Sequence, residues 1–353
     1  MRVLVTGHDG YIGRALVPLF TEAGHEVVGL DSCLYAGCAL GSEPDDQCPT
    51  IRRDIRDVEA ADLDGFDAVV HLAAISNDPL GDYRPETTYE INFQAVDRLA
   101  ALAKGVGVPR FLFSSSCSVY GAAGTQMLDE TAAFNPVTPY GKSKILAEEA
   151  LRRLADDSFS PVYLRSATAF GVSARLRGDL VLNNLVGYAY TTGEVLIMSD
   201  GTPWRPLVHI EDIARAFLAA FEAPLDAVHN EAFNVGRTDE NFQVNDIAQI
   251  AADVVPGSRV VYAPGGGPDA RCYRVDFDKI RRSVPAYEPR WTVRRGAEEL
   301  YDAYRTAGLT HTELESARFL RIKRVKQLQA EGLLDASLRS VPRAEAQNLV
   351  ARS

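Results

Sequence analysis

Tyr140 and Lys144 stand four residues apart in Tyr140-Gly-Lys-Ser-Lys144, so on a helix they share one face. A free tyrosine titrates at about 10, too high for a base at neutral pH. A nearby ammonium, joined by an oxidised nicotinamide, favours the phenolate and is expected to lower that value. The pair reads as a proton acceptor for a sugar or alcohol hydroxyl while hydride leaves the same carbon. A serine run, Ser114-Ser115-Ser116, precedes it. A hydroxyl at Ser116 can hydrogen-bond the reacting oxygen and steady it between oxidation states. Ser114 and Ser115 suit the plainer role of strand-end serines that bond their own backbone.

The chemistry needs a hydride acceptor, and the N-terminus supplies a place for one. Gly7, Gly10 and Gly13 fall between a predicted strand, Val3–Thr6, and a predicted helix, Ile12–Ala23. Glycines there allow a tight turn and let a pyrophosphate approach the helix N-terminus. Asp31 closes the next predicted strand, His25–Asp31, where a carboxylate binds the adenosine ribose and repels a 2′-phosphate. No arginine follows immediately, so NAD is expected rather than NADP. Asp54 and Ile55 either contact the adenine or serve as a loop carboxylate and a core isoleucine. Further on, Arg205 can grip phosphate oxygens bidentately, unless it is a solvated surface arginine. Arg271 is a candidate second phosphate ligand.

The elements that must position these residues alternate between strand and helix. Asp67–Ala73, Pro109–Ser114 and Pro161–Arg165 read as further strands, and Glu86–Val106 as a long helix with Val96, Leu99 and Leu102 on its apolar side. Thr138-Pro139 opens another helix, threonine as cap and proline at the first position. Such alternation implies right-handed crossovers and a parallel sheet. The expected fold is therefore α/β, a doubly wound, dinucleotide-binding sheet.

After Gly171 the pattern loosens into a smaller mixed α/β lobe. Its predicted helices are Asn183–Thr191, Asp212–Phe221, Phe242–Val254 and Arg294–Tyr304, and its strands Glu194–Met198 and Leu207–Ile210. A Pro/Gly-rich stretch, Pro264–Pro268, interrupts it. From Leu309 the chain is charged and helix-prone, with Phe319, Ile322, Val325 and Leu328 at amphipathic spacing and an end expected to fray from about Val341. This divides the chain into a cofactor domain over 1–170 with a returning segment at about 205–237, a substrate lobe over 171–204 and 238–307, and a helical extension over 308–353.

With 353 residues and 46% hydrophobic content, the chain can bury one large core or two linked ones. No apolar run approaches the ~20 residues that span a bilayer, so a soluble, cytoplasmic protein is expected. A net charge of −11 argues against nucleic-acid binding and leaves anion binding to local arginines and helix ends. Five cysteines at irregular spacing, without a Cys-x-x-Cys pair, read as reduced thiols and not as a metal site.

Four motifs occur in order: Thr6-Gly7-x-x-Gly10-x-x-Gly13, His71-Leu-Ala-Ala74, Ser116-x-x-x-Tyr120-Gly121 and Tyr140-x-x-x-Lys144. Together they resemble the extended short-chain dehydrogenase/reductase family and its nucleotide-sugar epimerase/dehydratase branch, over residue 1 to about 305. The resemblance implies a Rossmann-type domain with a smaller substrate lobe and a catalytic trio of Ser116, Tyr140 and Lys144. It places cofactor contacts at Gly7, Gly10, Tyr11, Ile12, Gly13, Asp31, Asp54, Ile55, Leu72, Ala73, Ala74, Asn92, Tyr140 and Lys144. Substrate contacts fall on Ser116, Thr168, Asn184, Leu185, Arg205 and Arg271, around a nucleoside-diphosphate sugar. It also implies a homodimer paired through the helices containing Glu86–Val106 and Tyr140–Ala155.

Two departures bear on the reaction. Dehydratases of this branch carry an acidic pair before Val-Tyr-Gly, where this chain has Cys117-Ser118, and decarboxylases carry a glutamate at the position of Ser118. Elimination of water then lacks its proton donor. Cys117 reads as a small buried thiol. Thr168 stands where UDP-galactose 4-epimerases usually have asparagine, which points to a different sugar pocket. The expected activity is NAD-dependent epimerisation at C4 through a transient 4-keto sugar. The alternatives are a 4-keto-sugar reductase, a 4,6-dehydratase and a cofactor-sensing regulator.

Overall fold

Short β-branched and aromatic runs build the centre of the molecule. The computed structural model describes residues 1–264 and 271–341. Most of the Pro/Gly-rich stretch at 264–268 and the end expected to fray lie outside the described residues. Seven parallel strands form the main sheet, in the order Ala232–Val235, Ser160–Ser166, Arg110–Ser116, Ala68–His71, Arg2–Thr6, Glu26–Asp31 and Thr50–Arg52. Val3, Leu4, Val5, Val69, Val70, Phe111 and Phe113 are fully enclosed, as expected of strands covered on both faces.

Helices supply both covers. Gly13–Glu22 and Ile210–Glu222 pack Leu16, Val17, Phe20, Phe217 and Phe221 on one face. Ala95–Gly105 and Pro139–Leu154 pack Val96, Leu99 and Leu151 on the other. The strand order reverses between Arg2–Thr6 and Ala68–His71, the switch point at which ligands of doubly wound sheets bind. The α/β fold with a doubly wound, Rossmann-type sheet is thus the observed one. A smaller mixed part accompanies it: Trp204–His209 pairs parallel with Thr168–Phe170 and antiparallel with Asn241–Gln243, and Glu194–Ile197 pairs with Arg259–Tyr262.

Three local expectations change. The long helix expected over Glu86–Val106 is broken by a π turn at Glu90–Gln94, between Pro85–Tyr89 and Ala95–Gly105. The helix expected from Phe242 begins at Val244, because Asn241–Gln243 is taken as a strand by Trp204–Pro206. Ala122–Leu128 and Cys272–Val275 form an unforeseen parallel pair. Ala122–Leu128 is largely exposed and lacks the apolar alternation that marks a strand.

At the C-terminus, helix Arg321–Ala330 starts after Phe319. It turns Val325 and Leu328 onto Ile75 and Leu80 of the same chain.

Candidate active site

A cleft of about 790 Å³ opens over the carboxyl ends of the central strands. Its floor follows from local sequence. Gly7 adopts φ +74°, and a Cβ there would sit 2.7 Å from the Ala73 nitrogen, so the turn and the neighbouring strand end touch backbone to backbone. A side chain at Gly13 would collide with the carbonyls of His8 and Gly7. Among the described residues the backbone N–H groups of Tyr11 and Ile12, ahead of helix Gly13–Glu22, donate to no protein acceptor. That is the donor set a pyrophosphate requires. Asp31 accepts from the backbone N–H groups of Asp9 and Cys33 at 3.2 and 2.8 Å, which fixes its carboxylate at the cleft edge while burial raises its pKa. These features fit a dinucleotide. Gly10, Ile12, Ile55, Leu72, Ala73 and Ala74 line the same cleft.

Three expected cofactor residues are otherwise engaged. Asn92, within the π turn, is buried behind the cleft lining, where its amide accepts from Ile75 N–H at 2.8 Å and donates to Ile75 C=O at 2.9 Å. It acts one layer back, holding the strand end that carries Leu72–Ala74. Asp54 lines the cleft, but Arg56 grips its two oxygens at 3.0 and 2.6 Å. Burial would raise Asp54, yet this pairing holds it below the usual carboxylate range. Tyr11 lines the cleft and donates its hydroxyl to Gly171 C=O at 2.7 Å, tying the glycine turn to the segment after the sheet.

Tyr140, Ser116 and Lys144 meet on one side of the cleft. Thr138 caps their helix by accepting from Gly141 N–H at 3.2 Å, with Pro139 at the first position. Lys144 is buried, donates to Ser114 C=O at 2.7 Å, and its ammonium lies 5.8 Å from the Tyr140 ring centre. The expected depression of the tyrosine is not found in the protein alone. Burial pushes Tyr140 up to about 12; Ser116 and Arg177 pull it down, while Asp78 adds to the rise. Lys144 is itself lowered to about 7 by burial, against an opposing pull from Glu148, so near neutrality it is only partly charged. Ser115 faces away, donating to Glu148 at 2.6 Å beneath the Arg165–Glu148 ion pair. Cys117 is fully buried, donates to Arg165 C=O at 3.1 Å, and burial holds its thiol protonated.

The facing wall carries Thr168, Asn184, Leu185, Arg205 and Arg271. Asn184 donates to Gly178 C=O at 2.9 Å, Arg205 bonds the Arg271 carbonyl, and Arg271 donates to Asp78 at 2.6 Å. Several lining residues escaped the sequence reading. Arg177 pairs with Asp179 at 2.9 Å, and Asp179 in turn accepts from Asn77. Asp78 Oδ1 and Ser118 Oγ are buried in the cleft without a hydrogen-bond partner among the described residues. Ser-Ala-Arg-Leu-Arg-Gly-Asp179 holds alternating arginines and an acid, the one local signal that could have flagged this wall. Among the described residues no cluster of three or more His, Cys, Asp or Glu suits a metal ion, and no helix is long and apolar enough to cross a membrane.

Comparison with known proteins gives concordant matches. The family model described as NAD dependent epimerase/dehydratase family matches residues 3–236. UDP-glucose 4-epimerase of Bacillus subtilis (strain 168) is 29% identical over 328 residues, spanning 85% of this chain and 94% of its own. The Mycolicibacterium smegmatis protein of the same name is 30% identical over 319 residues, spanning 86% and 99%. Among solved structures, MoeE5 in complex with UDP-glucuronic acid and NAD aligns at TM-score 0.74 and 27% identity, over 87% of this chain and all of that one.

Proposed function

Because the chain belongs to the NAD-dependent epimerase/dehydratase family, we propose that it is a nucleotide-sugar epimerase acting at C4 through a transient 4-keto sugar. The observation that carries this reading is the meeting of Tyr140, Ser116 and Lys144 in one cleft with the amide and arginines of the facing wall. When bound, NAD⁺ supplies a reversible hydride acceptor and a positive charge beside the phenol. Tyr140 takes the C4 hydroxyl proton and later returns it, so the cycle leaves the protein unchanged. Ser116 donates to the sugar oxygen as it changes from alkoxide to ketone. Arg205, Arg271 and Asn184 hold the diphosphate, which lets the flat keto sugar turn over without leaving. Arg177, beside the phenol, favours its ionised form. This reading includes Thr168 and Leu185 as sugar and nucleotide contacts, the cofactor roles of Gly7, Gly10, Gly13 and Asp31, a cytoplasmic location, and a homodimer.

The relatives named above, two of which are called UDP-glucose 4-epimerase, support the C4 position and a nucleoside-diphosphate sugar as substrate. A dehydratase would need an acid, and the positions of Cys117 and Ser118 offer none. Asp78 is the one specific observation in favour of that second reading, since its carboxylate lines the cleft. The test is Tyr140→Phe. Turnover should fall by ~10²–10⁴-fold, the scale of a lost general base, with bound NAD retained. Normal turnover in that variant contradicts the proposal.

A further inference from the structure

Residues 309–341, beyond the family match, fold back along the cleft and are pinned there at both ends. Arg318 donates to the carbonyls of Ala39 and Gly41 at 2.6 and 2.7 Å, and Arg324 to that of Ala36 at 2.9 Å. At the far end Arg56, which holds Asp54, also donates to Ser337 C=O at 2.8 Å, and Arg339 pairs with Asp57 at 2.6 Å. Between these anchors Arg321 and Leu338 line the cleft itself. Leu338 packs with Ile75, Leu80 and Ile91 at a backbone φ of +60°.

Arg321 differs from the arginines around it. Arg14 and Arg175 are paired with Asp9, and Arg177 with Asp179. Arg321 is 5% exposed, yet has no ion pair among the described residues. Its guanidinium stacks on Tyr35 at 3.7 Å, Nη2 donates to Arg175 C=O at 3.1 Å, and Nη1 is buried with no hydrogen-bond partner among the described residues. An unpaired buried cation is costly, and the usual remedy is a bound anion. Its neighbourhood identifies which. Arg175, whose carbonyl holds Arg321, has its side chain on Asp9 inside the glycine turn. Arg205, by contrast, reaches the cleft from strand Trp204–His209, and Arg271 stands just before strand Cys272–Val275.

We propose that Arg321 is a ligand for the pyrophosphate of NAD, and that residues 309–341 form a strap that keeps the cofactor resident. This rests on NAD being the cofactor and not on which sugar reaction follows. A strap of this kind suits a redox-neutral cycle, in which the cofactor is never exchanged.

The test follows exchange of NAD on the isolated holoprotein against excess isotopically labelled NAD, read by mass spectrometry, with UDP affinity measured in parallel. Arg321→Met should speed exchange at least tenfold, the loss of one charge-assisted hydrogen bond, and Arg321→Lys by less. Leu338→Gly, which keeps the +60° backbone and removes the apolar cover, should also speed it. UDP affinity should change by less than about twofold, since the substrate diphosphate is not the anion concerned. Unchanged exchange in folded Arg321→Met, or an equal loss of UDP affinity, overturns the proposal. Should Arg321→Met not fold, unchanged exchange in both other variants overturns it. A wild-type chain that holds no NAD at all contradicts the cofactor assignment instead.

Discussion

The wall of the cleft built by residues 3–144 joins groups set a few positions apart along one turn or helix, whereas the wall built by residues 171–205 and 309–341 presents arginines held largely by packing between separate segments. On the first wall, Gly7 and Gly13 act through what they lack, and Tyr140 and Lys144 are spaced by one helix turn. On the second, Arg177 depends on Asp179, and Arg321 on Tyr35 and on the carbonyl of Arg175. Strands and turns place the first set within a few residues of each other. Apart from the alternating arginines and acid of Ser173–Asp179, tertiary packing places the second set, so Arg321 carries no local signature.

The difference can be broken at the glycine turn, where the largest effect is expected. Gly13→Ala drives a Cβ into two carbonyls that cannot move, and should cost about 3 kcal/mol or more, with loss of bound NAD. Urea melts with NAD quantified after gel filtration measure both. The facing wall should respond more gently. Arg321→Met is expected to leave a folded protein that still binds NAD but exchanges it faster, a change in rate and not in fold.

The smallest expected effect is a pH slope from Lys144. Burial lowers it to about 7 from an ordinary value near 10.5, so between these values the unfolded chain holds a proton that the folded chain does not. Its contribution to stability therefore rises as pH increases through this window, by at most ~1.4 kcal/mol per pH unit. Lys144→Met should remove that component, seen as a flatter dependence of Tm on pH from 7 to 9 in the cofactor-free protein. An unchanged slope would mean that Lys144 stays charged throughout.

How much could be read beforehand follows the same division. The parallel sheet, the glycine turn and the Tyr140–Lys144 helix are legible because apolar periodicity and cap residues are local. Asn92 lies behind the wall, within a π turn that helical periodicity does not reveal. Asp54 is placed in the cleft, but its engagement by Arg56 depends on side-chain geometry that spacing does not reveal. The ionisation of Tyr140 is only half legible: the helix turn puts Lys144 on the right face, but burial, which spacing does not reveal, raises the phenol and lowers the lysine in the protein alone. Arg177, Asp78 and Arg321 reach the cleft only through contacts between distant segments.

The most direct test of a redox-neutral C4 epimerase uses NAD-loaded protein and UDP-glucose deuterated at C4, followed by proton NMR and absorbance at the nicotinamide band. The account predicts a second C4 epimer that approaches equilibrium, with deuterium retained at C4 and no steady change in absorbance. Stoichiometric conversion of the cofactor, or a product that has lost water, would contradict it.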